Sequence, residues 1–167
     1  FPTLITSTRE ETMRRKDKEI TDRSQIEEIL KKEKICRVAF HDDPYPYMIP
    51  LCYGYEDGAM YFHGFREGHK IDCIRKNPRV CFEVDADIDV TESGDPCEWT
   101  LKYRSVVGFG KATLLEDHSE KRHGLDVIVK QFAWKALPFP ETAMKAVAVV
   151  RIDIESMTGR KNGYEGA

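Results

Sequence analysis

The chain is organised around residues Tyr61–Phe82, which read YFHGFREGHKIDCIRKNPRVCF. Aromatic residues at the start of this stretch are typical of a strand. Gly64 and Gly68 bracket a turn, where glycine allows backbone conformations that other residues avoid. Apolar residues at helical spacing follow, and Asn77-Pro78 ends the helix before a second strand. The stretch therefore predicts a strand, a glycine-bearing turn, a short helix and another strand.

The turn between Gly64 and Gly68 is a candidate anion pocket. It leads into a helix N-terminus, where free N–H groups and the helix dipole favour a negative charge. Lys70 falls in the first turn of that helix, and His63 falls at the end of the preceding strand. The alternative is an ordinary strand–helix–strand junction with a solvated lysine and a surface histidine. The residues alone leave both interpretations open, and the plain junction is the commoner one.

Length and composition indicate one soluble globular domain. The chain has 167 residues, of which 41% are hydrophobic and 33% are charged, and its net charge is −3. This charge gives no basic footprint for nucleic acid. No apolar run approaches the ~20 residues needed to span a bilayer, so we expect no membrane partner. The sequence begins without a methionine and without a signal-peptide pattern, and residue 1 need not be the native start.

The cysteines favour a reducing compartment. Their number is odd, at 5, and no pair has the C-x-x-C spacing of a zinc or redox motif. The five are Cys36, Cys52, Cys73, Cys81 and Cys97. We therefore predict neither a disulfide framework nor a metal site, and we expect a cytoplasmic protein.

The predicted organisation is a single domain with two flanking segments. Residues 1–21 are read as an N-terminal arm with a basic cluster, which either packs across a partner or frays. Residues 22–157 form the domain, and the polar, glycine-rich residues 158–167 are read as a loose tail. Residues 85–96 are read as a solvated acidic loop. Their spacing opens like a calcium-binding EF-hand but then departs from it at Val90 and Pro96.

Strands outnumber helices in the predicted pattern. Three helices are signalled, by Ser24 with Glu27, by Gly68, and by Asp117 with Glu120. About six strands are predicted, at residues 35–40, 47–55, 59–63, 80–84, 98–115 and 145–154. Pro50 marks its strand as a sheet edge or a bulge, because proline cannot donate to a ladder. Gly110-Lys111 hints at a phosphate-binding Walker loop, but Ala112 stands where a magnesium-binding hydroxyl is needed. The glycines more simply mark a bend, and the pattern predicts a mainly β (α+β) fold, an antiparallel barrel with attached helices.

Several segments resemble the FMN-binding split barrels of the pyridoxamine phosphate oxidase-like family, and in particular its nitroimidazole-resistance (Nim) branch. The segments are Arg37–Phe40, Tyr47–Tyr55, Tyr61–Gly64, Gly68–Asp72, Asn77–Val80 and Tyr103–Gly110, with Met13–Asp17 and Val150–Asp153 at the two ends. Each motif is short, but their order and spacing together cover most of the chain.

The resemblance implies a split barrel that forms a homodimer, with FMN bound at the subunit interface. Lys70 would hold the phosphate, with Phe62, His63 and Gly64 close by. The isoalloxazine ring would lie beside the strand with Pro50. The other residues implied at the cofactor are Arg37, Val38, Leu51, Cys52, Tyr53, Arg104 and Ser105. Pyridoxamine phosphate oxidases also carry a basic substrate motif near the C-terminus, which residues 150–157 lack, so we do not expect vitamin B6 oxidase activity.

Two functions fit the resemblance. In the first, FMN takes a hydride from a nicotinamide donor and passes electrons to a small acceptor such as a nitroimidazole. His63 would then serve as the catalytic proton donor or acceptor, because its unperturbed pKa of about 6.5 suits that task. The alternative is that His63 only binds the phosphate or caps its strand. In the second, the chain is a non-catalytic flavin- or haem-binding protein for storage, sensing or electron carriage, since one fold serves many tasks.

Overall fold

The computed structural model describes residues 15–133 and 139–164. The strands are β1 (Glu19–Ile20), β2 (Ile35–Phe40), β3 (Tyr47–Cys52), β4 (Gly54–Glu56), β5 (Ala59–Phe65), β6 (Arg79–Thr91), β7 (Thr100–Leu115) and β8 (Val147–Asn162). The helices are α1 (Arg23–Lys32), α2 (His69–Lys76), α3 (His118–Ala133) and α4 (Glu141–Ala146). None of the helices in these ranges has the length and apolarity to cross a membrane.

One antiparallel sheet forms the body of the molecule. Seven strands follow the order β3-β2-β6-β7-β8-β5-β4, and β1 adds to β8. The two end strands, β3 and β4, are consecutive in the chain and are separated by Tyr53 alone. The sheet therefore curls until its ends meet, and β3 approaches β5 across the opening. This architecture confirms the predicted mainly β split barrel with attached helices.

Strand alternation places the core inside this curl. Val80, Phe82 and Val84 of β6 are at most 4% exposed, whereas the residues between them are half-buried or more open. The sequence predicted this inward face. A second, smaller cluster lies between the sheet and α3, around Tyr61 and Leu125. Gly54 of β4 touches the α3 backbone there, and the side chain of Gln131 donates to the carbonyls that end α1.

The helix starts agree with their sequence signals in two cases of three. Gly68, with φ of 130°, begins α2, and Asp117 accepts hydrogen bonds from the first-turn amides of α3. For α1 the predicted cap was wrong. Asp22 caps the helix by accepting from the Ser24 amide at 2.8 Å, so Ser24 lies inside the first turn.

The structure corrects the two predicted loops near residues 85–96 and 158–167. β6 continues through the acidic residues to Thr91, because they pair with β7 after a bulge at Asp87, whose φ is 52°. The C-terminal strand likewise continues to Asn162, so residues 158–162 are not a loose tail. In the arm, β1 pairs with the same chain's β8, while residues 1–14 lie outside the described ranges. The helix α4 was not predicted.

Asp87 stabilises the bulge by pairing with two cations. Its carboxylate accepts from Arg104 Nε at 2.5 Å and also pairs with Lys32 on α1. Burial alone would raise the pKa of Asp87, but the hydrogen bonds from Lys32 and Arg104 outweigh burial and hold that pKa below its usual value. The charge of Asp87 therefore stabilises the fold above about pH 4, and this contribution is lost as the pH falls through the lowered pKa.

Replacing Asp87 with asparagine is expected to lower the free energy of unfolding by about 2 kcal/mol at pH 7, because charge-assisted bonds become neutral ones. Asparagine tolerates the positive φ, so the backbone is unchanged. Urea unfolding at pH 7 and near pH 3 checks this, and the difference from wild type should shrink at the lower pH. Asp89→Asn, at an exposed site on the same strand, is the control. An equal loss in both variants would contradict the assignment.

Candidate functional site

At His63 the chain passes from the buried part of β5 to the exposed turn that leads into α2. Phe62 points inward and is 1% exposed, so the next side chain, His63, points out of the barrel. Gly64 follows, and Gly68 with its positive φ then starts α2. The Gly68 carbonyl accepts from the amides of Ile71 and Asp72, at 2.9 and 3.1 Å. The amides before these, in the first turn, have no acceptor within the helix and are open to an anion.

Lys70 reaches back from α2 over this turn. A Cβ placed on Gly64 would lie 2.4 Å from the Lys70 Nζ atom. The ammonium group therefore packs directly against the main chain of Gly64, which has no side chain to separate them. Among the described residues, no carboxylate forms an ion pair with Lys70. An unpaired cation, a helix N-terminus and a glycine together form a site that suits a phosphate group.

His63 adjoins this ammonium group. Its ring is open at the rim but partly surrounded by protein atoms, and this desolvation, with the charge of Lys70, lowers the pKa of His63. The imidazole is therefore neutral near pH 7 and can accept a proton from, or donate its N–H to, a bound molecule. The structure thus brings together His63, Gly64 and Lys70, as the sequence predicted.

A second set of predicted residues lies on the outer face of the two end strands. Arg37 of β2 is the cross-strand partner of Pro50 on β3, and Pro50 and Cys52 are exposed. Arg37 donates to Glu83 and Asp85 of β6, each at 3.0 Å. These two carboxyl groups were not among the predicted site residues, although their alternation with apolar residues signals an outward face.

Glu83, one of the two carboxyl groups beside Arg37, has a raised pKa. Burial raises the pKa of Glu83 to about 7, and the neighbouring Asp85 adds to the rise. Arg37 opposes this rise through its charge and its hydrogen bond. The guanidinium is consequently neutralised by groups of its own chain, so a ligand on this face meets a balanced cluster rather than a free cation.

Three residues predicted at the cofactor have side chains that face the core, so they could contact the cofactor only through their backbone atoms, and their role stays a prediction. Val38 and Tyr53 are fully buried, and Phe62 nearly so. The Tyr53 hydroxyl donates to the Leu30 carbonyl at 2.7 Å, which ties the junction of β3 and β4 to α1. Leu51 also packs against the core from a half-buried position. At these positions only backbone atoms are available to a ligand.

Arg104 and Ser105 lie away from the Lys70 site in a single chain. Arg104 is the cross-strand partner of Lys161, whereas Gly64 is the partner of Ala148, at the opposite end of β8. The Arg104 guanidinium is bound to Asp87, as described above, and Ser105 is buried. Their predicted contact with a cofactor therefore requires a second copy of the chain and stays a prediction.

Open space adjoins the β5–α2 turn. A cleft of about 600 Å³ is lined by Phe65, Arg66, Glu67, Arg75 and Ala146. One guanidinium nitrogen of Arg66 donates to the Lys145 carbonyl at 3.1 Å, which fixes that side chain across the cleft. The Phe65 ring is 84% exposed at the same turn. A ligand larger than a phosphate therefore has room to extend beside this turn.

Gly64→Ala is expected to displace the Lys70 ammonium group without unfolding the protein. The added methyl would overlap the flexible end of the lysine side chain rather than any backbone atom. The free energy of unfolding, measured by thermal denaturation, should stay within about 0.5 kcal/mol of the wild-type value, since the effects of surface substitutions are usually that small. Phosphate-dependent binding at the turn should weaken several-fold, as measured by titration calorimetry with a phosphate ester. Unchanged affinity for the phosphate ester would show that the position of the Lys70 ammonium group does not affect phosphate binding.

Comparisons with known proteins identify a matching family and similar chains. A family model described as pyridoxamine 5'-phosphate oxidase matches residues 22–161. An uncharacterized protein of Rhizobium meliloti (strain 1021), RA0666, is 24% identical over 151 residues, which is 84% of this chain and 93% of that protein.

Two solved structures are similar over nearly the whole chain. One is a candidate 5-nitroimidazole antibiotic resistance protein from Bacteroides thetaiotaomicron, with a TM-score of 0.78, 29% identity and 86% of each chain covered. The other is a FAD-binding protein from Mesorhizobium loti, with a TM-score of 0.62, 30% identity, and coverage of 85% of this chain and 96% of that one. The family resemblance seen in the sequence is thereby confirmed.

Proposed function

Because the chain belongs to the pyridoxamine 5'-phosphate oxidase family, we propose that it binds FMN and transfers electrons from a nicotinamide donor to a small acceptor such as a nitroimidazole. The observation that carries this proposal is the Lys70 ammonium group, which lies over Gly64 at the start of α2 and has no carboxylate partner within residues 15–133 and 139–164. The related structures include one linked to nitroimidazole resistance and one that binds FAD.

The residues at the turn fit the phosphate of FMN. A phosphate monoester carries about −1.5 to −2 charges near neutral pH, and a protein that binds it must replace its hydration with donors and cations. Lys70 supplies a full positive charge, and the open amides at the start of α2 supply donors. Gly64 allows the phosphate to approach the backbone closely.

The isoalloxazine ring is assigned to the outer face of β3. β3 is the last strand of the sheet. The backbone N–H and C=O groups along its free edge therefore have no strand partner among the described residues, and they can form hydrogen bonds with the polar edge of the isoalloxazine ring. Pro50 and Cys52 present small side chains there, and Arg37 lies on the adjacent strand. When bound, the flavin supplies the hydride and electron chemistry, while the protein orients it and adjusts its surroundings.

His63 is proposed as the group that exchanges a proton with the substrate. Its imidazole is neutral near pH 7, because its pKa lies below the usual value, and it can take up a proton from the substrate or donate its N–H to it. A bound phosphate nearby would raise that pKa by offsetting the charge of Lys70. His63→Gln keeps a hydrogen-bonding side chain but removes titration, so it should lower turnover while FMN binding is maintained.

The functional unit is proposed to be a homodimer. The end of the β6–β7 hairpin exposes the cross-strand partners Val90 and Leu101, at 53% and 46%, beside Ile88 and Trp99. Apolar side chains concentrated at one projecting end favour burial against another protein surface. A second copy would also supply the Arg104 and Ser105 that one chain does not bring to Lys70.

Leu101→Asp combined with Val90→Asp is expected to convert the dimer to a monomer at micromolar concentration, because charges would enter an apolar contact. Sedimentation velocity measures this. Tyr45→Ser, at a residue 78% exposed on another loop, should leave the dimer intact. A wild-type monomer with FMN bound at that concentration would contradict the proposal.

The function is tested by spectroscopy followed by turnover. The full chain mixed with FMN and passed through a desalting column should retain flavin absorption bands. Anaerobic addition of NADH or NADPH should bleach these bands, and a nitroimidazole should restore them. Flavin bands that no nicotinamide bleaches would leave a carrier or sensor role instead. A Soret band on purification, or no retained flavin, would overturn the assignment of FMN.

A further inference from the structure

Three metal-ligating side chains meet on the side of α2 that carries His69 and Cys73. Asp42 comes from the connection between β2 and β3, and the two other residues lie one helical turn apart. One ligand atom from each of the three side chains lies within 4.8 Å of the others. The cysteine spacings predicted no metal site, because they do not reveal a helical pair of ligands completed by a third residue from a distant turn.

The cluster is held in place before any ion arrives. His69 Nε2 lies 2.7 Å from Asp42 Oδ2, and the edge-on Tyr47 ring is centred 4.6 Å from the imidazole. The Cys73 residue is 1% exposed, whereas the side chains of Asp42 and His69 are 22% and 52% exposed. The sulfur therefore forms the floor of the cluster, and the imidazole and carboxylate form its solvent-accessible rim.

We propose that Asp42, His69 and Cys73 form a zinc-binding site. Zinc accepts sulfur, nitrogen and oxygen ligands together, whereas magnesium and calcium prefer oxygen alone. A thiolate and a carboxylate would balance the two positive charges of the ion. Binding replaces the thiol proton of Cys73, which passes to the solvent, and exchanges the Asp42–His69 hydrogen bond for metal bonds.

Three protein ligands leave one tetrahedral position open. Structural zinc sites are closed by four protein ligands, so this site belongs with those that hold an exchangeable water or small ligand. Lys76 is the cation facing Asp42 and Cys73, and its charge opposes metal binding. Moderate, reversible affinity is therefore expected. The alternative is that the Asp42–His69 pair only fastens α2 to the β2–β3 connection.

Cobalt(II) titration of the reduced full chain distinguishes these two roles, because a cobalt–thiolate bond gives an intense charge-transfer band. One equivalent of cobalt should produce this band, and zinc should remove it by competition. Cys73→Ser should abolish the band, and His69→Gln should weaken binding at least tenfold. Cys97→Ser, which changes an exposed thiol elsewhere, should bind as wild type does.

Circular dichroism and thermal unfolding of the metal-free variants show whether each remains folded. Cobalt binding without the charge-transfer band would overturn the proposal, as would a band that persists in Cys73→Ser. If Cys73→Ser fails to fold, His69→Gln decides alone, and unchanged affinity in that folded variant would refute the site. The outcome is independent of the flavin assignment, because the titration needs no FMN.

Discussion

Replacing Lys70 with alanine is expected to weaken FMN binding by about tenfold to a hundredfold. Loss of one charge-assisted contact to a phosphate costs on the order of 1.5–3 kcal/mol, and each 1.4 kcal/mol is a factor of ten. The loss should fall at the upper end, because no other cation among the described residues overlies Gly64. Fluorescence titration measures it directly, since flavin emission changes on binding.

Riboflavin provides the matched ligand, because it lacks the phosphate and should bind wild type and Lys70→Ala equally. Lys76→Ala is the matched variant, since it removes a charge from the last turn of the same helix. It should affect FMN less than Lys70→Ala does. Equal FMN affinity in wild type and Lys70→Ala would refute the phosphate assignment. Equal weakening of FMN and riboflavin would indicate a defect in the fold instead.

The Lys70 site could be predicted because its signals are local. Gly64, Gly68 and Lys70 fall within seven consecutive residues, and each acts through backbone geometry or helix position. The same locality made α2 and its end at Asn77 predictable. What the sequence left open was whether the ammonium group turns toward Gly64 or toward solvent, since a lysine side chain has many rotamers.

Residues that act through distant partners could not be predicted in this way. The acidic residues of β6 read as a loop because their charges suit solvent, yet Asp87 is satisfied by Lys32 and Arg104 from other elements. Asp42 and His69 meet for the same reason, across the barrel opening. The sequence at the end of β8 has the composition of a polar tail, but its backbone pairs with the start of β7 in the antiparallel sheet.

The alternation of side chains along a strand, by contrast, is visible in the sequence and could have refined the predicted site. The resemblance marked consecutive residues such as Phe62 and His63 together, although neighbours in a strand face opposite sides. One of each pair therefore belongs to the core, as Phe62 and Val38 do. A family motif thus identifies a strand near a cofactor. The alternation of side chains between the two faces of that strand then shows which of them can contact the cofactor.

A large effect on stability is expected at Gly54, where β4 lies against α3. A Cβ at this position would lie 2.6 Å from the carbonyl oxygen of Val127 and 2.7 Å from the Cα of Ile128. Both are backbone atoms within a helix, so no rotamer change can relieve the overlap. The helix must shift as a body, and it would then disturb the buried Gln131, whose side chain bonds the end of α1.

Gly54→Ala is therefore expected to lower the free energy of unfolding by about 3 kcal/mol, at the upper end of the usual cost of overpacking. For a domain of this size, that corresponds to a fall in melting temperature of about 6–12 °C. Thermal and urea unfolding measure both quantities. Gly94→Ala is the control, because among the described residues nothing lies within 4 Å of the added methyl group, and it should change stability by less than about 0.5 kcal/mol. If Gly54→Ala proved as stable as Gly94→Ala, α3 would have to sit farther from β4 than the structure places it. β5, which pairs with β4 and leads into the Lys70 turn, would then be less rigidly supported than this packing requires.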